Sequence, residues 1–197
     1  MRPPTKRNAS LALALLIGFT TACSPAGGGG DETGRANKLV AEANTAIDAA
    51  NKGTDEAGRK SGRIFGEIKS DSFAEDKQRL SATAKEAVDG YTQSAEKFRG
   101  AAGKFEEAAR LKINDKFKEY LALKSQEFNK HAERVEAARM MPQAVLDSDD
   151  AETLSQKFKE NKTRYEKLEK EARELADRAE KVRAENKDIF QPDNSNK

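Results

Sequence analysis

The sequence has few of the residues from which catalytic and metal sites are usually built. Its 197 residues include one cysteine (Cys23), one histidine (His131), no tryptophan and five prolines, and aromatic residues make up 6%. A lone cysteine leaves its thiol without a partner in the chain, and a lone histidine supplies too few ligands for a metal site. The mean hydropathy of −0.88 is, taken alone, typical of a disordered chain.

An excess of charge of one sign is also missing. The 36 Lys and Arg residues against 34 Asp and Glu residues give a formal net charge of +2. Three of the positive charges, Arg2, Lys6 and Arg7, lie in a segment that we expect to be removed, which leaves about −1 (2 − 3) for the mature chain. A balanced surface with both signs interspersed has no basic patch, so we expect no binding to nucleic acid.

What the sequence does contain is heptad periodicity, most clearly between Ala151 and Ile189. Apolar positions there follow one another in steps of four and three, the pattern of a helix that packs lengthwise on other helices. An isolated solvated rod is the alternative, but it would have no reason to keep one apolar stripe. Two asparagines in the stripe would fix the register between helices. The stripe consists of Leu154, Phe158, Asn161, Tyr165, Leu168, Ala172, Leu175, Ala179, Val182, Asn186 and Ile189.

The N-terminal residues have the composition of a secretory signal. Residues 1–7 are basic, and residues 11–19 form an apolar run that is too short to span a bilayer. Small residues follow and lead directly to Cys23. We therefore expect residues 1–22 to be a signal peptide.

The position of Cys23 after Thr21 and Ala22 resembles the lipobox of bacterial lipoproteins. In that family, signal peptidase II cuts before a cysteine that carries a thioether-linked diacylglycerol, so the resemblance implies lipidation of Cys23. Thr20 departs from the branched aliphatic residue that is commonest there. The alternative is ordinary secretion with cleavage after Ala22, which would leave a free thiol in an oxidising compartment.

Residues 23–34 are expected to be the lipidated cysteine and a flexible tether rich in glycine. In lipoproteins of bacteria with two membranes, Asp after the cysteine favours the inner membrane, and Ser24 stands here instead. The resemblance thus implies a protein anchored in the cell envelope through its lipid. It would face the periplasm from the outer membrane of a Gram-negative cell, or lie on the outer face of the plasma membrane otherwise.

Residues 35–190 are predicted to form an all-α domain, an elongated antiparallel four-helix bundle with helices like those of coiled coils. Three further apolar stripes precede the one described above, at residues 36–68, 80–108 and 113–138. Residues 191–197 are expected to be a flexible tail. Because no Pro or Gly lies between Lys104 and Met141, a single rod that joins the second and third helices is the alternative.

Capping residues and breakers set the expected helix ends. Polar residues with capping-box spacing predict the starts of the second and fourth helices, an asparagine predicts the start of the third, and a proline predicts its end. These residues are Ser72 with Glu75, Asp149 with Glu152, Asn114, and Pro142.

Three glycines of the first helix, Gly58, Gly62 and Gly66, are spaced four residues apart. They predict either a smooth stripe where a neighbouring helix comes close, or a weakened helix with a bend or break, since each glycine costs about 1 kcal/mol relative to alanine. The spacing favours neither alternative over the other.

No residue pattern predicts chemistry. His131 follows Glu127 by four positions, whereas di-iron bundles use Glu-x-x-His on several helices, so we interpret His131 as a partly buried stripe residue. No pair of carboxylates stands out as an acid and a base, and no glycine-rich loop joins a strand to a helix. We expect no enzymatic activity, no cofactor and no metal.

Three functions fit these observations. The first is a structural or interaction protein that presents a helical surface to an envelope partner or to a second copy. The second is a periplasmic chaperone or carrier that holds apolar ligands between helices. In that case a cavity would be lined by Phe98, Phe105, Phe117, Tyr120, Phe128, Phe158 and Tyr165.

The third function is a peptidoglycan tether. A lipidated N-terminus, heptad helices and the terminal Lys197 resemble Braun's lipoprotein, whose C-terminal lysine is joined to peptidoglycan. The chain here is much longer, and the residues before Lys197 are Asn-Ser-Asn. We therefore rank this function last.

Overall fold

The computed structural model of the protein describes residues 30–190, which form an all-α bundle as predicted. Four long helices are joined by short turns, and consecutive helices are antiparallel. No strand occurs within this range. The helices are α1 (Gly30–Glu67), α2 (Phe73–Ala109), α3 (Asp115–Asp147) and α4 (Ala151–Glu185), followed by the single turn α5 (Lys187–Phe190).

The helices pack in the order of the chain. α1 lies along α2, α2 along α3, and α3 along α4. Within residues 30–190, no comparable lengthwise packing joins α1 to α4, although their side chains meet where the rings of Phe65 and Phe158 lie 4.7 Å apart. The bundle is therefore more open between its first and last helices than at its other three seams.

The predicted apolar stripes form the core. Every position of the α2 stripe from Leu80 to Ala108 is buried, and every position of the α4 stripe is buried or partly buried. α3 also buries residues outside its stripe, such as Leu121 and Leu123, because it packs against α2 on one side and α4 on the other. The separation of α2 from α3 excludes the single-rod alternative.

Two clusters of buried side chains divide the bundle along its length. The larger cluster surrounds the start of α1, the end of α2 and the start of α3, which together we call the proximal end. The smaller cluster lies at the distal end, where the α1–α2 and α3–α4 turns meet. Each helix spans about 50 to 57 Å at 1.5 Å per residue, so the two ends are about that far apart.

The start of α1 differs from the prediction. Residues 30–34, which we placed in the tether, belong to the helix. The Glu32 carboxylate accepts a hydrogen bond from the Lys112 backbone N–H, and Arg35 pairs with Glu107 at 3.0 Å. These contacts hold the first turn against the α2–α3 turn. The glycine-rich composition does not reveal them, because the partners lie far away in the sequence.

The predicted caps are confirmed in one case and corrected in two. Asn114 caps α3 by accepting hydrogen bonds from the N–H groups of Lys116 and Phe117. Ser72 precedes α2 as predicted but makes no cap, because its hydroxyl donates to the Asp76 carboxylate at 2.8 Å.

The fourth helix is capped one residue later than predicted. Its N-cap is Asp150, which accepts a hydrogen bond from the Thr153 N–H at 2.7 Å, and Asp149 makes no such contact. The two neighbouring aspartates have equal intrinsic capping preference, so the sequence alone does not separate them.

The prediction that Pro142 ends α3 is wrong. Pro142 is fully buried inside the helix, which continues to Asp147. A proline in a helix interior costs about 3 kcal/mol. The residues after it, Ala144 and Val145, are buried in the smaller core cluster, and this packing keeps the chain helical.

The fourth helix ends before the last positions of the apolar stripe between Leu154 and Ile189. α4 stops at Glu185, and the stripe position Ile189 belongs to α5. The ring centroid of Phe190 lies 5.6 Å from that of Phe117 and 5.0 Å from that of Tyr120, and both pairs are edge-to-face. The turn between α4 and α5 thus folds the end of the described chain back onto α3.

The two stripe asparagines do not fix register between helices. The Asn161 side-chain amide donates to the Lys157 carbonyl oxygen at 2.8 Å, and that of Asn186 donates to the Val182 carbonyl oxygen at 2.7 Å. Both bonds are made to the backbone of α4 four residues earlier in the chain, because an asparagine readily bonds to nearby backbone of its own segment. The expectation of a bond across the helix interface was wrong.

The glycines of α1 neither break the helix nor form a continuous contact stripe. α1 runs through Gly58, Gly62 and Gly66 without interruption. A Cβ atom at Gly62 or Gly66 would meet nothing within 4 Å, and one at Gly58 would lie 3.6 Å from the Tyr91 hydroxyl. The four-residue spacing therefore marks an open helix face and not a packed one.

Candidate functional site

The lipidation candidate Cys23 lies outside the described residues, as do the rest of the predicted signal peptide and most of the tether. Lys197 and the predicted tail lie outside them as well. The candidate sites considered below therefore belong to residues 30–190. No helix in that part of the chain is long and apolar enough to cross a membrane.

A cleft of about 190 Å³ lies at the distal end of the bundle, and we call it the distal cleft. It opens between the end of α1 and the start of α4. Apolar side chains supply most of its wall, and polar side chains lie among them. The lining residues are Phe65, Ile68, Lys69, Ser70, Phe73, Ala151, Leu154, Ser155 and Phe158.

The apolar wall of the distal cleft combines buried and accessible groups. Phe73 and Leu154 are buried in the smaller core cluster. Phe65, Ile68 and Phe158 are only partly buried, and the first and last of these touch with their rings inclined at 59°. The cleft is thus an accessible extension of the core.

The α1–α2 turn beside the cleft is fixed by a carboxylate. Asp76 accepts hydrogen bonds from the Lys69 backbone N–H at 3.1 Å and from the Ser72 hydroxyl. Arg79 pairs with both Asp76 at 2.8 Å and Glu67 at 2.5 Å. The Arg79 guanidinium, together with the Ser72 hydroxyl, holds the pKa of Asp76 below its usual value. This wall of the cleft is therefore formed without a ligand.

The α3–α4 turn on the other side is held by two lysines. Lys77 donates to the Ser148 carbonyl oxygen at 2.6 Å, and Lys157 donates to the Asp147 carbonyl oxygen at 2.9 Å. Both bonds satisfy carbonyl groups at the end of α3. Lys69 differs from these lysines, since its ammonium group makes no hydrogen bond or ion pair with any residue between 30 and 190.

The aromatic residues predicted to line a carrier cavity mostly fill the core. Phe98 and Phe105 are each 1% exposed, and both stack on Phe128. Tyr165 lies under the Arg134 guanidinium at 5.5 Å. Of the seven predicted residues, only Phe158 lines the distal cleft.

Phe65, Lys69 and Phe73 were not predicted as site residues. The available signal in the sequence was a pair of phenylalanines, Phe65 and Phe73, on either side of a predicted turn. Phe65 lies one position outside the α1 stripe.

A buried charged cluster lies in α3 around Glu127, which is 5% exposed. Its carboxylate pairs with the Lys124 ammonium at 2.7 Å and with His131 Nε2 at 3.7 Å. Burial alone would raise the pKa of Glu127, but His131 and Lys124 together outweigh it and hold that pKa below its usual value.

His131 is the partly buried stripe residue that we predicted, with 23% of its side chain exposed. Its ring stacks on Phe98 at 5.6 Å and lies 5.4 Å from that of Phe128. Among residues 30–190, no group of three or more His, Cys, Asp or Glu side chains is placed to hold a metal ion. The cluster around Glu127 therefore offers a metal ion at most two ligands, Glu127 and His131, with Lys124 beside them.

Comparison with protein-family models, with curated proteins and with solved structures found no match for this chain.

Proposed function

We propose that the protein is an extracytoplasmic lipoprotein, anchored in the cell envelope by a lipid on Cys23, whose helical bundle serves as a structural or interaction domain. The observation that carries this proposal is the position of the single cysteine. It directly follows a signal-like segment and small residues, and it has no partner thiol in the chain. The proposed anchor is a diacylglycerol, with the palmitate typical of such lipids.

The described helices support a short link between lipid and bundle. Six residues separate Cys23 from Gly30, where α1 begins. Their contour is at most about 25 Å, at 3.3 to 3.6 Å per residue step. A lipid on Cys23 would therefore keep the proximal end close to the bilayer. The distal end would be free to lie up to about 55 Å further away.

The proposed site of action is the outer membrane, facing the periplasm, in a Gram-negative cell, and the outer face of the plasma membrane otherwise. Ser24 after the cysteine supports the first placement. The partners we propose are the membrane itself and either an envelope protein or a second copy of this chain. We propose no enzymatic activity and no nucleic-acid partner.

Metabolic labelling with palmitate tests the anchor. The wild-type chain should take up label and sediment with membranes, whereas Cys23→Ser should do neither. Crosslinking in intact envelopes should then give specific products with wild type that are lost with Cys23→Ser. Equal crosslinking of both forms would mean that the interaction does not depend on the lipid anchor. A wild-type chain that takes up no label would refute the lipoprotein assignment.

A second candidate function, the carrier of apolar ligands, is supported by the distal cleft. Its wall is mainly apolar and partly accessible, which is the usual character of a small-molecule site. The neutral dye Nile red should bind the folded protein, and Ser155→Phe, which places a ring in the cleft, should remove most of the binding. Dye binding that Ser155→Phe leaves unchanged would refute a carrier site here.

A further inference from the structure

The lining of the distal cleft combines apolar and polar side chains. Phe65, Phe158 and Leu154 contribute apolar surface from α1 and α4. Lys69 and Ser155 also line the cleft and contribute a cation and a hydroxyl group. A ligand that satisfies both kinds of surface must itself have an apolar part and a polar or anionic part.

Lys69 has the only ammonium group in this lining. That group makes no hydrogen bond or ion pair with any other residue between 30 and 190. The backbone N–H of Lys69 is fixed on Asp76, so the residue has a defined place in the turn. The nearby carboxylates of Asp76 and Glu67 are both engaged by Arg79. Lys77 and Lys157, the other lysines of this end that contact the turns, donate to carbonyl oxygens. The charge of Lys69 is therefore available to an anionic group in the cleft.

The size of the cleft restricts the apolar part of the ligand. A volume of about 190 Å³ slightly exceeds the roughly 150 Å³ of an apolar cavity that holds benzene. That is enough for part of one alkyl chain and too little for an α-helix, whose diameter with side chains is about 10–12 Å.

We propose that the distal cleft binds one alkyl carboxylate, with its chain against the exposed faces of Phe65 and Phe158 and its carboxylate paired with the Lys69 ammonium. This assigns a ligand class to the second candidate function and rests on it. It does not depend on a lipid at Cys23, because every residue that it uses lies in the folded bundle.

Isothermal titration of the full chain carrying Cys23→Ser with decanoate tests the proposal. We expect one decanoate per chain, bound at least fivefold more tightly than the neutral decan-1-ol and than decyltrimethylammonium. Lys69→Gln should remove this preference, whereas Lys52→Gln, a change at an exposed lysine of α1, should keep it. Ser155→Phe should abolish saturable decanoate binding.

The outcomes separate the ligand class from the carrier function itself. If Nile red binds in a manner blocked by Ser155→Phe but decanoate shows no preference over decan-1-ol, the alkyl carboxylate is wrong and the carrier remains. If neither probe binds to wild type, both are wrong. Lys69 is an exposed residue of the turn. A folded Lys69→Gln variant that keeps the full preference for decanoate would overturn the proposal even if Ser155→Phe failed to fold.

Discussion

Gly53 of α1 faces Ser94 of α2 so closely that a Cβ atom at Gly53 would lie 2.5 Å from the Ser94 hydroxyl oxygen. One turn away, a Cβ atom at Gly90 would lie 3.2 Å from the Cβ of Ala57. The two contacts mark a close approach of α1 and α2. The Ser94 hydroxyl is held there, because it donates to the Gly90 carbonyl oxygen at 2.8 Å.

Gly53→Ala is expected to destabilise the bundle by a net of about 0–2 kcal/mol. The new methyl group must displace a bonded hydroxyl at a close helix crossing, at a cost of about 1–3 kcal/mol, and this cost outweighs the helix propensity of alanine, about 1 kcal/mol. The matched control is Gly62→Ala in the same helix, where the added Cβ meets nothing within 4 Å. There the helix propensity of alanine should stabilise by up to about 1 kcal/mol. Urea unfolding of both variants measures the two effects. Changes of the same sign would refute the close crossing at Gly53.

Asn114→Ala should cost about 1 kcal/mol of unfolding free energy, since it removes the side-chain acceptor for the first N–H groups of α3. The expected effect is on stability alone, measured as a shift of the urea midpoint with an unchanged slope. Asn114→Asp is the matched variant, because its carboxylate can still cap, and it should retain most of the stability. A wild-type midpoint for Asn114→Ala would contradict the cap.

The periodic features of this chain could be read from its sequence, because they repeat at every turn of a helix. The stripe from Leu80 to Ala108 is buried without exception, and the phase slip before Ile113 correctly indicated a turn. A local capping signal was sufficient at Asn114 for the same reason. Such features depend on neighbours within one or two turns.

The errors arose where distant partners decide the structure. The end of the expected tether belongs to α1, where Glu32 accepts a hydrogen bond from the Lys112 backbone N–H. α3 continues past Pro142, because Val145 packs in the smaller core cluster. Phe65 and Lys69 could not be assigned to a cleft, because nothing local indicates that the end of α1 and the start of α4 come together.

Phe98→Ala should destabilise the protein by about 3–5 kcal/mol, the usual cost of removing a fully buried ring. Phe158→Ala is the matched control, because the same atoms are removed from a partly exposed position on the distal cleft. We expect it to cost less than about 2 kcal/mol, since the ring is already partly in water. Chemical unfolding compares the two, and equal losses would mean that the cleft is as tightly packed as the core.

Glu127→Gln should lower the unfolding free energy at pH 7 by about 1–3 kcal/mol, because it leaves the Lys124 ammonium without its charged partner in a buried setting. The pKa of Glu127 is lowered in the folded protein. Its contribution to stability is thus complete above the unfolded pKa of about 4.3 and is lost as the pH falls through the lower folded value.

The difference in stability between wild type and Glu127→Gln should therefore persist from neutral pH down to about pH 4.3 and shrink steadily below it. Urea unfolding at several pH values between neutral and strongly acidic measures it. The matched control is Glu133→Gln, which removes a partly exposed partner of Lys130 and should cost less than about 1 kcal/mol at pH 7. A difference for Glu127→Gln that is the same at both ends of this pH range would show that the ionised carboxylate contributes no stability, and that only the shape of the side chain does.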